Sequence, residues 1–255
     1  MELRKECSRL TRILLFVVAC FYINAVKAQG ANEEAKNSII KINVPALFLK
    51  NISLQYEMKT STKSSFAVAV RYRPKSTVPF KSTIENLIDQ PAIRVDLFKM
   101  GNIGITPEYR FYLGKKKAMQ GFYIAPFISY NHYTAAIPIN YDSLTKEKTA
   151  VFNGSTNSWT FGFQLGAQWK LNDNLTLDWW ILGPNYGVMK GNFVTNSTLN
   201  DDEQTNMFYQ LFKITEGISP KIIESFDVKT NGTSFIVNGP WGGIRAMGIN
   251  LGYRF

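Results

Sequence analysis

Charged side chains in this 255-residue chain recur at alternate positions of otherwise apolar segments. Arg71 and Arg73 flank a tyrosine, and so do Glu108 and Arg110. Successive residues of a β-strand point to opposite faces, so each pair of charges shares one face of its strand. Charges on a buried face must pair, because an unpaired buried charge is costly. We predict a structural charge network inside a barrel, formed by Glu57, Arg71, Arg73, Glu108, Arg110, Lys170 and Asp178.

The single histidine, His132, is the one candidate for acid–base catalysis. Ser129 precedes it and Asp142 follows it, so a nucleophile, a base and an orienting carboxylate are all available. The odd spacing of Ser129 and His132 directs the two side chains to opposite faces of one strand. We therefore predict no catalytic residue. The chain also lacks a phosphate loop, a dinucleotide fingerprint and metal-ligand spacing, so we predict no cofactor and no metal.

The N-terminus has the pattern of a secretory signal peptide, with a basic start, an apolar stretch from Ile13 to Ile23 and small residues at Val26 and Ala28. We predict cleavage after Ala28, leaving 29–255 as one barrel domain. An alternative is lipidation at Cys20, because Val17-Val18-Ala19-Cys20 resembles a lipobox. Both cysteines lie in this leader, so the mature chain has no disulfide.

The formal net charge of +10 raises the question of nucleic-acid binding. Without a basic helix or basic repeat, an exported chain is not expected to bind nucleic acid. Its lysines concentrate in turns such as Lys115-Lys116-Lys117.

The last strand gives the clearest indication of architecture. Leu251, Tyr253 and Phe255 form an apolar face, and the intervening Asn250, Gly252 and Arg254 form a small or polar face. This alternation is typical of a transmembrane barrel. The aromatic C-terminus also resembles the assembly signal of bacterial outer-membrane proteins.

The same period-2 pattern predicts an all-β fold, an eight-stranded antiparallel transmembrane β-barrel. The predicted strands are about 38–47, 51–59, 65–73, 103–113, 121–140, 158–171, one starting at 175, and one ending at 255. Two long loops, 74–102 and 195–240, separate them. Each loop carries a short predicted helix, one over Ser82–Ile88 with Ser82 or Thr83 as its cap, the other with Asp201-Asp202-Glu203 as its acidic first turn.

Finer features of the strands are predicted as well. Pro126 indicates a bulge, Gly183-Pro184 a break in register, and Asn231-Gly232 a hairpin. Trp159 and Trp169 share a face and are separated by roughly 25 Å along a tilted strand, which is about the spacing of the two aromatic girdles of a membrane barrel.

Three segments resemble one family: Ile105–Leu113, Gly121–Phe127, and Gly239–Arg245 with the final Gly-Tyr-Arg-Phe255. They are similar to small outer-membrane barrels of Bacteroidetes that are classified as a domain of unknown function. This resemblance implies an eight-stranded barrel in the bacterial outer membrane, and it supplies no catalytic residues.

We therefore expect a non-enzymatic outer-membrane barrel, either structural or binding a surface partner through its external loops. Its other partners would be outer-membrane lipid and the outer-membrane assembly machinery. A small pore, a lipid-modifying outer-membrane enzyme and a soluble lipocalin-like barrel are the alternatives.

Overall fold

The computed structural model describes residues 36–88, 92–142, 147–217, 222–245 and 248–255. The strands are β1 (Ser38–Asn43), β2 (Ile52–Lys59), β3 (Ser64–Thr77), β4 (Lys99–Tyr112), β5 (Gly121–Asp142), β6 (Glu147–Lys170), β7 (Leu175–Leu182), β8 (Pro184–Thr195), β9 (Ile223–Lys229), β10 (Gly232–Ile244) and β11 (Gly248–Arg254). The helices are α1 (Val44–Phe48), α2 (Lys81–Ile88) and α3 (Asp201–Gly217). The predicted signal peptide and the alternative lipidation site at Cys20 lie outside the described residues.

Eight of these strands close into an antiparallel barrel. They follow one another from β1 to β7, and β11 pairs with both β7 and β1. Ile40 opposes Tyr253 across the closing pair, so the C-terminal strand completes the wall. The prediction of an all-β, eight-stranded antiparallel barrel is confirmed.

The two faces of the barrel wall differ in character, as strand β6 illustrates. Phe161 and Phe163 point outward and are each 51% exposed, whereas Gln164 and Gln168 point into the lumen and are fully buried. Apolar side chains therefore cover the outside, and polar side chains fill the interior. The opposite arrangement would be expected of a lipocalin-like barrel.

Strands β5 and β6 continue well beyond the barrel. Their pairing runs unbroken from Gly121↔Gln168 to Asp142↔Glu147, so the bulge predicted at Pro126 is wrong. Most of the interval between the predicted strands 121–140 and 158–171 is therefore also strand. We call the end of the barrel from which this hairpin projects the outer end.

The register break predicted at Gly183-Pro184 is confirmed, and it has a structural consequence. Strand β7 pairs with the C-terminal part of β6, from Leu165 to Lys170, and β8 pairs with an earlier part of it, from Asn153 to Gly162. Beyond β8 lie β10 and then β9. The break thus lets one chain segment leave the closed barrel and enter an extension of the sheet.

The two predicted long loops are partly regular structure. The helix α3 and the hairpin of β9 and β10 at Asn231-Gly232 are confirmed within 195–240. In 74–102, β3 continues to Thr77 and β4 already begins at Lys99. Helix α2 starts at Lys81, so Ser82 and Thr83 lie in its first turn and the predicted cap is wrong.

The extension has its own hydrophobic core. Helix α3 lies on the outer ends of β5 and β6 and on β8 to β10, an assembly that we call the outer module. Its buried residues are Ala135, Ile139, Tyr141, Ala150, Phe152, Met189, Phe193, Leu199, Met207, Leu211, Ile214, Phe235 and Val237. None of the helices in the described part of the chain combines the length and apolar character needed to cross a membrane.

Candidate functional site

The barrel interior contains a buried ion network, which we call the lumen network. It joins Lys41 on β1, Glu57 on β2, Glu108 and Arg110 on β4, and Asp178 on β7. Their side chains are completely shielded from solvent. Because these strands lie on different sides of the barrel, their charges meet across the lumen.

Each cation of the lumen network bridges carboxylates from separate strands. Lys41 Nζ lies 2.5 Å from Glu57 Oε2 and 2.7 Å from Asp178 Oδ2. Arg110 Nη1 lies 2.8 Å from Asp178 Oδ2, and its Nη2 lies 2.5 Å from Glu108 Oε1. The network therefore links β1, β2, β4 and β7 by direct ion pairs.

Neutral side chains satisfy much of the remaining hydrogen-bonding capacity. Gln168 Oε1 accepts from Lys41 Nζ at 2.8 Å and from Arg110 Nη1 at 3.0 Å. Tyr123 donates to Asp178 Oδ1 at 2.8 Å, and the Arg110 guanidinium lies 4.3 Å from the centre of the Tyr123 ring. Further bonds come from Gln55, Ser65 and Tyr112. Such satisfaction is what makes a buried charge cluster tolerable.

A third cation, Arg245, reaches the network from the outer end of the lumen. Its Nη1 lies 2.6 Å from Glu108 Oε2, and its guanidinium is 3.8 Å from the centre of the Trp180 ring. The alternation counted back from Phe255 places Arg245 on the lipid-facing side. That placement is wrong because β10 ends at Ile244 and β11 begins only at Gly248.

The structure brings together four of the seven charged residues that the sequence suggested, namely Glu57, Glu108, Arg110 and Asp178. Lys41 and Arg245 join them and were missed. Lys41 lies on the buried face of β1, and Ile40 and Ile42 lie on the other face. Its position between two outward-facing isoleucines could have indicated that it belongs to the lumen.

Lys170 does not reach the lumen network, which corrects the sequence assignment. It ends β6, and its Nζ lies 2.6 Å from Asp173 in the following turn, with 40% of the side chain exposed. Arg71 and Arg73 also lie away from it, nearer the outer end. Arg73 Nη2 donates to the carbonyl of Thr77 at 3.3 Å.

The aromatic and C-terminal residues singled out in the sequence lie on the outer wall. Trp159 and Trp169 are 56% and 37% exposed. Leu251, Tyr253 and Phe255 are exposed to similar degrees on β11 and at its end. They form part of the continuous apolar exterior.

The candidate catalytic residues are not assembled. His132 Nδ1 lies 2.8 Å from Asn157 Oδ1 on the exposed face, whereas the buried Ser129 hydroxyl lies 2.8 Å from the Thr106 hydroxyl. The side chain of Asp142 lies outside the described residues. His132 and Ser129 thus belong to opposite faces of β5.

The outer module is fixed by polar contacts at the start of α3. Asn200 Oδ1 accepts from the Glu203 amide at 2.9 Å, and Glu203 Oε2 accepts from the Asn200 amide at 3.1 Å, which is a capping box. Lys148 on β6 lies 2.6 Å from Glu203 Oε1, and this hydrogen bond raises the pKa of Lys148. The helix is therefore anchored to the projecting strand.

The opposite side of α3 displays aromatic side chains. Phe208, Tyr209 and Phe212 are each about half exposed, at 54%, 52% and 49%. Phe208 packs edge-on against Phe226 of β9, with ring centres 5.2 Å apart. We call Phe208, Tyr209 and Phe212 the α3 aromatic patch.

A closed antiparallel barrel with an apolar exterior, a polar ion-paired lumen and a projecting outer module defines the structural class. The chain belongs to the family described as "Protein of unknown function (DUF3575)", whose model matches residues 14–209. The match includes the segments Ile105–Leu113 and Gly121–Phe127, and it ends before β9, β10 and β11.

Other comparisons add little to this assignment. No curated protein matches the chain. Among solved structures, a major outer membrane protein from Thermus thermophilus is similar, with 12% sequence identity and a TM-score of 0.40. That similarity covers 86% of this chain and 98% of the other.

Proposed function

We propose that the protein is a non-enzymatic barrel of the bacterial outer membrane that binds a surface partner through its outer module. The apolar exterior supports the membrane location, since lipid is the solvent that such a surface requires. It also supports outer-membrane lipid as a partner, and the aromatic end of β11 suits recognition by the outer-membrane assembly machinery. We further infer secretion through the signal peptide at 1–28 and an origin in Bacteroidetes.

Strand length supports a function outside the membrane. Strands β5 and β6 have 22 and 24 residues, whereas a tilted strand crosses a bilayer in about 9–11. At least half of each strand is therefore available to project beyond the lipid. A pure membrane anchor would not require this projection.

The lumen network supports a binding role over the small-pore alternative. Its ion pairs occupy the centre of an eight-stranded barrel, whose interior is just wide enough for side chains to fill. An ion path would require several buried ion pairs to separate at once. The separation of Ser129 and His132 similarly counts against the lipid-modifying alternative.

The observation that carries the proposal is the α3 aromatic patch on a separately packed module. Exposed aromatic side chains are enriched at protein interfaces, and three lie here on one helix. The module core holds the helix in place from the other side. The patch is thus presented rigidly, which reduces the entropy lost on binding.

Photo-crosslinking in intact cells tests this role. A photoreactive phenylalanine analogue at Tyr209 should crosslink a surface partner, and the same analogue at Lys190, which is exposed on the far face of β8, should not. The variant Phe208→Ser/Phe212→Ser should abolish the crosslink from Tyr209. Absence of any crosslink, or equal crosslinking from both positions, would overturn the proposal.

A further inference from the structure

A cavity of about 480 Å³ lies at the outer end of the lumen. The charged and aromatic side chains in its wall are Arg71, Phe127, Tyr133, Trp180, Trp241 and Arg245. Volumes of roughly 300–1,000 Å³ are usual for small-molecule sites. The lumen network closes the cavity on the inner side, where Arg245 contacts Glu108. A ligand would enter and leave from the outer side.

The described wall carries two positive charges and no negative one. Arg71 and Arg245 both line the cavity, and no aspartate or glutamate among the described residues does. Both guanidinium groups face the same cavity, so their like charges repel each other. This electrostatic environment favours an anion.

Arg71 is a cation without an ion pair among the described residues at the outer end of the lumen. Together with Arg245, the lumen network contains three cations, Lys41, Arg110 and Arg245, and three carboxylates, Glu57, Glu108 and Asp178. Arg71 makes no ion pair and no hydrogen bond with the described residues. Arg71 is only partly exposed on the cavity wall, and an anionic ligand would supply a counterion for it.

Two other residues of the wall also carry donors without partners. Arg245 is 91% buried and uses Nη1 for Glu108, while its Nε and Nη2 have no partner in the described part of the chain. Trp180, 3% exposed, leaves its indole Nε1 without a partner among the same residues. Buried donors of this kind are rare in folded proteins. Together they provide hydrogen bonds for oxygen atoms of a ligand.

Aromatic rings form the rest of the recognition surface. Tyr133 and Trp241 meet edge-on with their centres 6.3 Å apart, and Phe127 lies 5.3 Å from the Arg245 guanidinium. Rings beside paired guanidinium groups suit a molecule that joins an apolar part to an anionic group. Inorganic anions alone would leave these rings without contacts.

We propose that this outer cavity binds a small organic anion, a carboxylate or phosphate monoester with an apolar portion, whose charge is held by Arg71 and Arg245. The site lies in the lumen and is independent of the α3 aromatic patch. It is a binding site and not a passage, because the lumen network lies beneath it.

Calorimetric titration of the purified, detergent-solubilised protein tests the proposal. Phenyl phosphate and benzoate are the probes, and benzyl alcohol is the neutral control. Saturable one-to-one binding is expected for at least one anion, at least about tenfold tighter than for the alcohol. The tighter of the two probes identifies the preferred anionic group.

The variants locate the site. Arg71→Gln should weaken binding about tenfold or more, as expected when a charge-assisted hydrogen bond is lost. Arg71→Lys should retain part of the affinity, and Arg73→Gln, which changes a residue outside the cavity wall, should retain all of it. Folding of each variant is checked by heat-modifiable gel mobility. Absence of saturable binding, equal binding of the alcohol, or undiminished binding by folded Arg71→Gln would overturn the proposal.

Discussion

Replacing Lys41 by Met removes one cation from the lumen network while keeping most of the side-chain volume. Lys41 Nζ contacts Glu57, Asp178 and Gln168 at 2.5, 2.7 and 2.8 Å. Its loss leaves the buried Glu57 and Asp178 with Arg110 as their remaining cation, and Arg110 also pairs with Glu108. Breaking a buried ion pair from one side costs about 3–5 kcal/mol. We expect a loss of this size in the free energy of unfolding.

The control and the compensating variant make the prediction specific. Lys170→Met removes the same group from an exposed pair and should cost at most about 1 kcal/mol. Glu57→Gln combined with Lys41→Met restores the charge balance and should recover part of the loss, with a coupling energy of about 1–3 kcal/mol.

The assay is equilibrium urea unfolding in lipid vesicles, followed by tryptophan fluorescence and by gel mobility. If Lys41→Met unfolds at the same midpoint as Lys170→Met, the lumen network does not hold the barrel together.

Three further predictions use the same unfolding measurements or extend them. In Gly166→Ala, the new Cβ would clash with the Tyr123 side chain and displace its hydroxyl from Asp178. The free energy of unfolding should fall by about 1–3 kcal/mol, whereas Gly243→Ala, which meets open space, should be nearly neutral. Asn200→Ala removes the capping box of α3 and should lower the stability of this helix by about 1 kcal/mol. Amide hydrogen exchange should become faster in α3 while the barrel stays protected, and an equal increase in both would contradict this. The Glu203 contact raises the pKa of Lys148 above its ordinary value of 10.5. The stabilisation from this ion pair is therefore complete below pH 10.5 and is lost as the pH rises through the higher folded-state pKa. Circular dichroism at rising pH should show this loss, and a Lys148→Gln variant with the same alkaline step would refute it.

The closed barrel was predictable because its wall follows a strictly local rule. In β6, every second residue from Trp159 to Trp169 is apolar, and the pattern alone assigns a face to each side chain. Glu57, Glu108, Arg110 and Asp178 fall on the interior face by that rule. Their placement required no knowledge of which strands are neighbours.

The outer module was not predictable in this way. After Gly183 the chain leaves β7, and β8 pairs with a different part of β6. Strand β10 pairs with β8, although α3 and β9 separate these two strands along the chain. These pairings join distant segments, so they depend on tertiary packing around residues such as Phe152 and Phe235. Local alternation indicates the strands but not their partners.

The outer cavity was missed for a related reason. Alternation places Arg71 on the same face as the charges of the lumen network. That Arg71 lacks an ion pair in the described part of the chain is visible only when the three-dimensional positions of the carboxylates are known. Arg245 falls on the wrong face because counting from the C-terminus assumes one continuous strand. The position of Arg71 relative to the carboxylates is thus a property of the assembled lumen and not of a motif.

The most direct test of a sealed barrel that acts at its outer surface is electrical recording from the purified protein in planar lipid bilayers. The protein should insert, as judged by gel mobility of the same sample in vesicles, and remain electrically silent because the lumen network spans the interior. Reproducible unit conductance steps that change with Arg110→Ala would contradict this account and establish a pore.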